Sequence, residues 1–203
     1  MKILKYDIKL DTFFKRGVPS FNDNWGCYCI TGFQGSGKTY YAVYLLLQLK
    51  QINYKIYTNI RSLNLPGQEV FYFEKIEEIT SNIEEDTIFV IDEVSKKYSK
   101  NAPPDKAFYS WLQQSRKRHR IVIMITQEWK EVPMWLRRPV RFMYNTHKMR
   151  LLPFFITSVG DGLNTTFNTD TMEWECPIIK YVIYKRNKEI CKLYDTLEPI
   201  NTL

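Results

Sequence analysis

Residues 26–51, GCYCITGFQGSGKTYYAVYLLLQLKQ, admit few folds. GCYCIT (26–31) is short, apolar and β-compatible. It runs into G-x-x-x-x-G-K-T, from Gly32 to Thr39. KTYYAVYLLLQLKQ (38–51) then has helix length and a long apolar face. Strand, glycine loop and helix in that order are the setting in which such a loop wraps phosphates. Gly32, Gly35 and Gly37 let the backbone bend and turn its N–H groups inward, toward anionic oxygens at a helix N-terminus. The pattern assigns Gly32, Phe33, Gln34, Gly35, Ser36, Gly37, Lys38, Thr39 and Tyr40 to phosphate binding. Lys38 is expected on the β and γ phosphates and the Thr39 hydroxyl on Mg²⁺.

Strands and helices keep alternating. YKIYTN (54–59) and EVFYF (69–73) read as strands, and EKIEEITSNIEE (74–85) as an acidic amphipathic helix. TIFVI (87–91) and IVIMIT (121–126) are continuous apolar runs, the pattern of parallel strands buried on both faces. DKAFYSWLQQSRK (105–117) and VPMWLRR (132–138) read as helices, and VRFMYNTH (140–147) as a strand. This predicts an α/β fold with a mostly parallel central sheet flanked by helices. Residues 1–24 read as a leader with a turn at Arg16-Gly17-Val18-Pro19. Residues 25–150 form the expected core. Residues 151–203 read as a β-rich extension packed on it, with a turn at GDG (160–162) and strands at PIIKYVIYKR (177–186) and KEICKLYD (188–195).

TIFVIDEV (87–94) delivers two acids at the carboxyl end of an apolar strand. Asp92 is placed to hold Mg²⁺. Glu93 is placed to orient and polarise an attacking water, a group that small-molecule kinases do not need. Gln127 ends the strand IVIMIT and is expected beside the phosphates, where it senses the γ phosphate or positions water. Two arginine sets, Arg116/Arg118/Arg120 and Arg137/Arg138/Arg141, are candidates for an arginine inserted into a neighbour's site.

The chain has 203 residues and a net charge of +7. Ten basic residues between Ser115 and Arg150 face only Glu128 and Glu131, and that stretch accounts for the net charge. A basic surface of this kind points to a polyanion, nucleic acid first. His119, set among arginines, reads as a positioning or exposed residue. Trp111, Trp129, Trp135 and Trp174 read mainly as core. Cys27, Cys29, Cys176 and Cys191 make no C-x-x-C pair, so neither a zinc site nor a disulfide framework is expected. Cys27 and Cys29 are expected on one side of a buried strand. No signal peptide and no run of about 18 apolar residues is visible, so a cytoplasmic protein without a membrane span is expected.

Taken together, GFQGSGKTYYAV, KIYTNIRSL, TIFVIDEV, SRKRHRIVIMITQ and VPMWLRRPVRFMYNTHK resemble the ordered motifs of zonula occludens toxin-like (Zot) ATPases of the FtsK–HerA class. The likeness spans roughly Gly26 to Lys148. Arg118-His119-Arg120 stands where the family has a His-Arg-His order. The resemblance implies a RecA-like ASCE P-loop NTPase and ATP hydrolysis with Mg²⁺. Lys38, Thr39, Asp92, Glu93 and Gln127 carry over by motif match. It further implies a ring, a hexamer or pentamer, with Arg116 or Arg118 completing a neighbour's site.

The implied function is a motor that translocates viral (phage) DNA during genome packaging or virion morphogenesis. Many members of the family have a membrane span after the ATPase domain. The expectation here is a soluble motor in the host cytoplasm, at a capsid vertex or at a membrane complex whose anchor a partner supplies. The alternative is a nucleotide-dependent assembly factor that binds a capsid or membrane partner without acting on DNA.

Overall fold

The computed structural model describes residues 25–48, 54–82, 84–149, 151–170 and 173–195. The leader at 1–24 with its turn, and Arg150 of the basic stretch, lie outside the described residues. In chain order the elements are β1 (Gly26–Thr31), α1 (Lys38–Gln48), β2 (Lys55–Thr58), β3 (Val70–Tyr72), α2 (Ile76–Thr80), β4 (Thr87–Ile91), α3 (Val94–Lys97), α4 (Lys106–Gln113) and β5 (Arg120–Ile125). A 3₁₀ turn (Trp129–Glu131), α5 (Met134–Arg137), β6 (Val140–Lys148), β7 (Phe154–Asp161), β8 (Thr166–Asn168), β9 (Glu173–Glu175), β10 (Ile178–Lys185) and α6 (Lys188–Cys191) follow.

One eight-stranded sheet runs in the order β10-β7-β6-β1-β5-β4-β2-β3, and β8 and β9 pair separately. From β3 to β6 every neighbouring pair is parallel. β7 and β10 continue the sheet antiparallel. β5 is inserted between β1 and β4. The carboxyl ends of β1, β4 and β5, and the segments that follow them, therefore gather at one edge of the sheet.

Side chains alternate across a strand, and here both faces are covered. Tyr28, Ile30, Ile88, Val90, Ile121 and Ile123 pack with α1 and α6 on one face. Cys27, Cys29, Phe89, Ile91, Val122 and Met124 pack with α2, α4 and α5 on the other. The two cysteines thus share one side, as expected. Burial pushes the Cys27 thiol up to about 12. Trp111 and Trp135 are core residues, and Arg137 lies over the half-buried Trp129 ring at 5.4 Å. No helix among the described residues is long and apolar enough to cross a membrane.

The tyrosines of α1 join the early part of the chain to its tail. Tyr40 stacks on Phe155 of β7 at 4.9 Å, and Tyr44 stacks on Tyr184 of β10 at 5.4 Å. Tyr41 meets Tyr144 of β6 and Tyr184, each at 5.4 Å. The backbone N–H of Asn187 donates to the Tyr40 hydroxyl at 2.8 Å.

Three expectations change. KEICKLYD is not a strand: residues 188–191 form α6. The Asn187 side chain accepts from the Glu189 N–H at 2.9 Å and caps it. Ile190, Leu193 and Tyr194, at helical spacing, all pack against the α1 cluster. GDG is not all turn. Gly160 and Asp161 finish β7, and the turn begins where Asp161 Oδ1 accepts from Leu163 and Asn164 N–H groups. The acidic helix expected over 74–85 is shorter, Ile76–Thr80, and Ile76 and Ile79 are its buried residues.

Candidate nucleotide-binding site

The loop from Gly32 to Gly37 joins β1 to α1 at the carboxyl edge of the sheet. Its shape demands glycine at two positions in particular. Gly32 has φ +142°, and a Cβ there would lie 2.5 Å from both the Ser36 Oγ and the Thr146 carbonyl. Gly37 has φ +95°, and its Cβ would lie 2.5 Å from the Phe155 ring. Left-handed backbone of this kind strains any other residue. Beneath the loop, Thr146 Oγ1 donates to Thr31 O at 3.1 Å and meets Ser36 Oγ at 3.0 Å. Phe33, Gln34 and Gly35 are exposed, while Ser36 and Tyr40 are buried.

Lys38 Nζ curls over the loop and donates to the Gly32 and Phe33 carbonyls at 2.9 and 3.2 Å. Burial lowers its pKa, and the charges of Asp92 and Glu93 oppose that shift. Thr39 Oγ1 donates to Asp92 Oδ2 at 3.3 Å. The first turn of α1 and the residue after β4 thus hold the two groups expected on Mg²⁺ in direct contact.

Asp92 is 5% exposed. Burial pushes its carboxyl up to about 6, with the Glu93 charge adding to the rise. The Glu93 N–H, Lys38 and Thr39 pull the other way. A buried carboxylate held this high gains from a nearby cation. A hydroxyl and a carboxylate beside a phosphate loop suit Mg²⁺, which binds through one or two protein oxygens, waters and phosphates. Among the described residues no group of three or more His, Cys, Asp or Glu side chains forms a metal cage. The donors present fit Mg²⁺ held between protein and phosphate.

Glu93 sits in the left-handed region at φ 54°, ψ 44°. Such strain in a non-glycine residue costs about 1–3 kcal/mol and clusters at functional sites. Its N–H donates to Asp92 Oδ1 at 2.8 Å, its carbonyl accepts from the Lys96 N–H at 2.9 Å, and its carboxylate pairs with Lys96. Asn59, directly after β2, grips the preceding residue. Its Oδ1 accepts from Asp92 N–H at 2.7 Å and its Nδ2 donates to Asp92 O at 3.0 Å. Asn59 was not among the expected site residues, although the TNI motif that contains it was. Gln127 is exposed just past β5, and its carbonyl accepts from the Gly32 N–H at 3.0 Å.

The arginines stand elsewhere. β5 and β1 are parallel, with Gly26 opposite Ile121. The SRKRHR segment therefore lies at the amino edge of the sheet, a strand's length (roughly 17–20 Å) from the phosphate loop. Arg116 runs past Gly26 there, and Arg118 is half-buried. His119 stacks on Trp25 at 5.2 Å. Two arginines of the candidate sets are internal, which corrects their place on a basic surface. Arg120 is 1% exposed, and donates to the Glu84 and Asn82 carbonyls at 2.9 and 2.7 Å. Its guanidinium lies 5.3 Å from the Trp111 ring. Arg137 donates to the Val132 and Lys130 carbonyls, each at 2.6 Å.

Comparison with known proteins agrees with this architecture. The N-terminal domain of zonular occludens toxin from Neisseria meningitidis is 20% identical, covers 84% of this chain and 98% of its own, and superposes with a TM-score of 0.60. The genome packaging NTPase B204 of Sulfolobus turreted icosahedral virus 2, in complex with ATP-gammaS, is 15% identical, covers 76% of this chain and 98% of its own, with a TM-score of 0.52. The RadB recombinase is 15% identical, covers 79% of this chain and 86% of its own, and has a TM-score of 0.50. At these identities the likeness is one of fold, that of RecA-like P-loop NTPases. No curated protein matches in sequence. The family model for zonular occludens toxin (Zot) matches residues 27–196, and the chain belongs to that family.

Proposed function

We propose that the protein is an ATP-hydrolysing motor that translocates viral DNA during genome packaging or virion morphogenesis. The observation that carries the hydrolytic reading is the contact of Thr39 with Asp92, with the strained Glu93 immediately beyond it. Lys38 leaves the loop carbonyls for the β and γ phosphates. Thr39 and Asp92 hold Mg²⁺, which neutralises charge on the phosphate oxygens when bound. Glu93 orients and polarises the attacking water, and Gln127 senses the γ phosphate from the end of β5. Residues 25–150 form the hydrolytic core and residues 151–203 its extension.

Arg116 and Arg118 are remote from their own chain's phosphate loop, so either acts only in a neighbouring copy. That separation supports a ring, hexameric or pentameric, whose sites are completed between subunits. Family membership, together with the fold shared with a viral genome packaging NTPase, supports a place in the host cytoplasm at a capsid vertex or membrane complex.

The test is phosphate release with and without single- and double-stranded DNA, alongside Glu93→Gln. Stimulation by DNA that the substitution abolishes supports the motor. Hydrolysis that is sensitive to the substitution and indifferent to DNA sinks it. A second reading then stands, a nucleotide-dependent assembly factor for a capsid or membrane partner. It is favoured by Ile179, Tyr181 and Ile183, which expose one apolar row on the outermost strand β10 at 50%, 64% and 61%.

A further inference from the structure

Two hollows open from the phosphate loop. Gln127 lines the one that begins at Gly32 and Phe33. Gly35, Gly37, Lys38 and Thr39 open onto the other, a cavity of about 260 Å³. Its remaining wall is Tyr40, Lys148, Phe155, Arg186, Cys191 and Tyr194. Four of those six come from the chain after residue 150, and none of the four belongs to a nucleotide-binding motif.

A bound nucleotide has two unlike ends. Its terminal phosphate must point toward Glu93 and Gln127 if these groups are to act on it. The ribose and base then leave the loop away from Gln127, and the second cavity is the one that Gln127 does not line. We infer that the cavity walled by Arg186, Cys191 and Tyr194 receives the nucleoside, so that the C-terminal extension is the nucleoside-binding half of the site. This rests on the proposed reading of the glycine loop as a nucleotide site.

The wall is built for such a ligand. Lys148 and Arg186 add two cations to the wall, and a guanidinium plane stacks on a base. Phe155 and Tyr194 supply aromatic surface. The segment that carries Arg186 to Tyr194 is tied down at several points. Asn187 N–H donates to Tyr40 Oη at 2.8 Å, Asn64 N–H to Leu193 O at 2.8 Å, and Asp195 N–H to Ser62 Oγ at 2.8 Å. Arg186 Nε reaches Cys191 Sγ at 3.4 Å. A pocket held this way is largely pre-formed, as small-molecule sites are.

Cys191 makes the idea directly measurable. It is the one half-exposed cysteine, since Cys27, Cys29 and Cys176 are buried. Its alkylation rate in the 203-residue chain, read by mass spectrometry, therefore reports whether the cavity is filled. ADP is expected to slow that rate roughly tenfold or more at saturation. Inorganic tripolyphosphate, which fills the phosphate loop alone, is expected to leave it within about twofold. Arg186→Ala is expected to weaken ADP binding by roughly tenfold, the scale of one lost charge-assisted contact, and to leave tripolyphosphate binding unchanged.

ADP that binds by calorimetry but leaves Cys191 as reactive as in the free protein overturns the inference alone. So does equal protection by ADP and tripolyphosphate. Absence of ADP binding, or ADP binding untouched by Lys38→Ala, overturns the nucleotide site itself and the inference with it.

Discussion

Asn59 holds Asp92 by its backbone. One amide side chain satisfies both the N–H and the carbonyl of that residue, at 2.7 and 3.0 Å, from the end of the neighbouring strand β2. Asp92 is the single residue between the end of β4 and the left-handed Glu93. Whatever fixes its peptide groups also fixes the direction in which Glu93 leaves the sheet.

Asn59→Ala strands two buried backbone groups, at a cost of about 1–3 kcal/mol each when unsatisfied. Urea denaturation is expected to show a loss of roughly 2–4 kcal/mol, and turnover is expected to fall about tenfold or more while nucleotide affinity changes little. If turnover and affinity fell together, Asn59 would be holding the whole site rather than the Glu93 turn.

Asp92 makes stability depend on pH. Its carboxyl is pushed up to about 6 in the folded chain from an ordinary 3.8. Between those values the folded chain keeps a proton that the unfolded chain has released, so stability falls as pH rises through that window and stays lowered above it. Asp92→Asn is isosteric, and its Oδ1 still accepts from the Glu93 N–H. In nucleotide-free protein it is expected to stabilise by roughly 2–3 kcal/mol at about pH 7.5 and much less near pH 4.5. Equal effects at the two pH values would mean that Asp92 titrates normally.

Gly37→Ala faces two obstacles, the φ of +95° and the Phe155 ring 2.5 Å away. Each is worth about 1–3 kcal/mol. Calorimetric melting of Gly37→Ala, Phe155→Ala and the pair separates them. Partial rescue in the pair is expected, because removing the ring relieves the clash and not the backbone strain. No rescue would assign the whole cost to the backbone.

The arginines of the SRKRHR segment are expected to divide. Arg120→Met removes a buried guanidinium that serves two carbonyls and should destabilise by about 2–4 kcal/mol, with hydrolysis per folded molecule preserved. Arg116→Ala and Arg118→Ala should leave melting nearly unchanged. The one that acts in trans should lower turnover by about 10³-fold or more, and mixing it with Lys38→Ala protein should restore activity. Failure of that complementation for both would remove the segment from the catalytic site.

Local signals were readable where one run of residues decides its own structure. β1, the glycine loop and α1 follow from a single continuous stretch, and β4 and β5 from apolar runs with no polar interruption. Signals that depend on distant chain were not. α6 looks like a strand because its apolar residues meet α1 only in the folded molecule. Arg120 and Arg137 look like surface charge because carbonyls that bury them belong to loops whose position no local pattern sets. Asn59 sits inside a quoted motif, yet its task is visible only once β2 lies beside β4. The tail's part in the cavity beside the loop had no local sign, since Phe155, Arg186 and Tyr194 come to Gly37 and Lys38 only in the folded molecule.

That tyrosine stack also sets a schedule for the chain during synthesis. Tyr40 and Asn187, which share a hydrogen bond, stand 147 positions apart. At ribosomal speeds of about 5–20 residues per second, α1 waits roughly 7–30 s after it is made for the strands that cover it. During that interval a helix face carrying Tyr40, Tyr41 and Tyr44 lacks its final partners. The nascent chain is therefore a client for whatever shields aromatic surface at the exit tunnel, and a truncation before β10 would leave that need permanent.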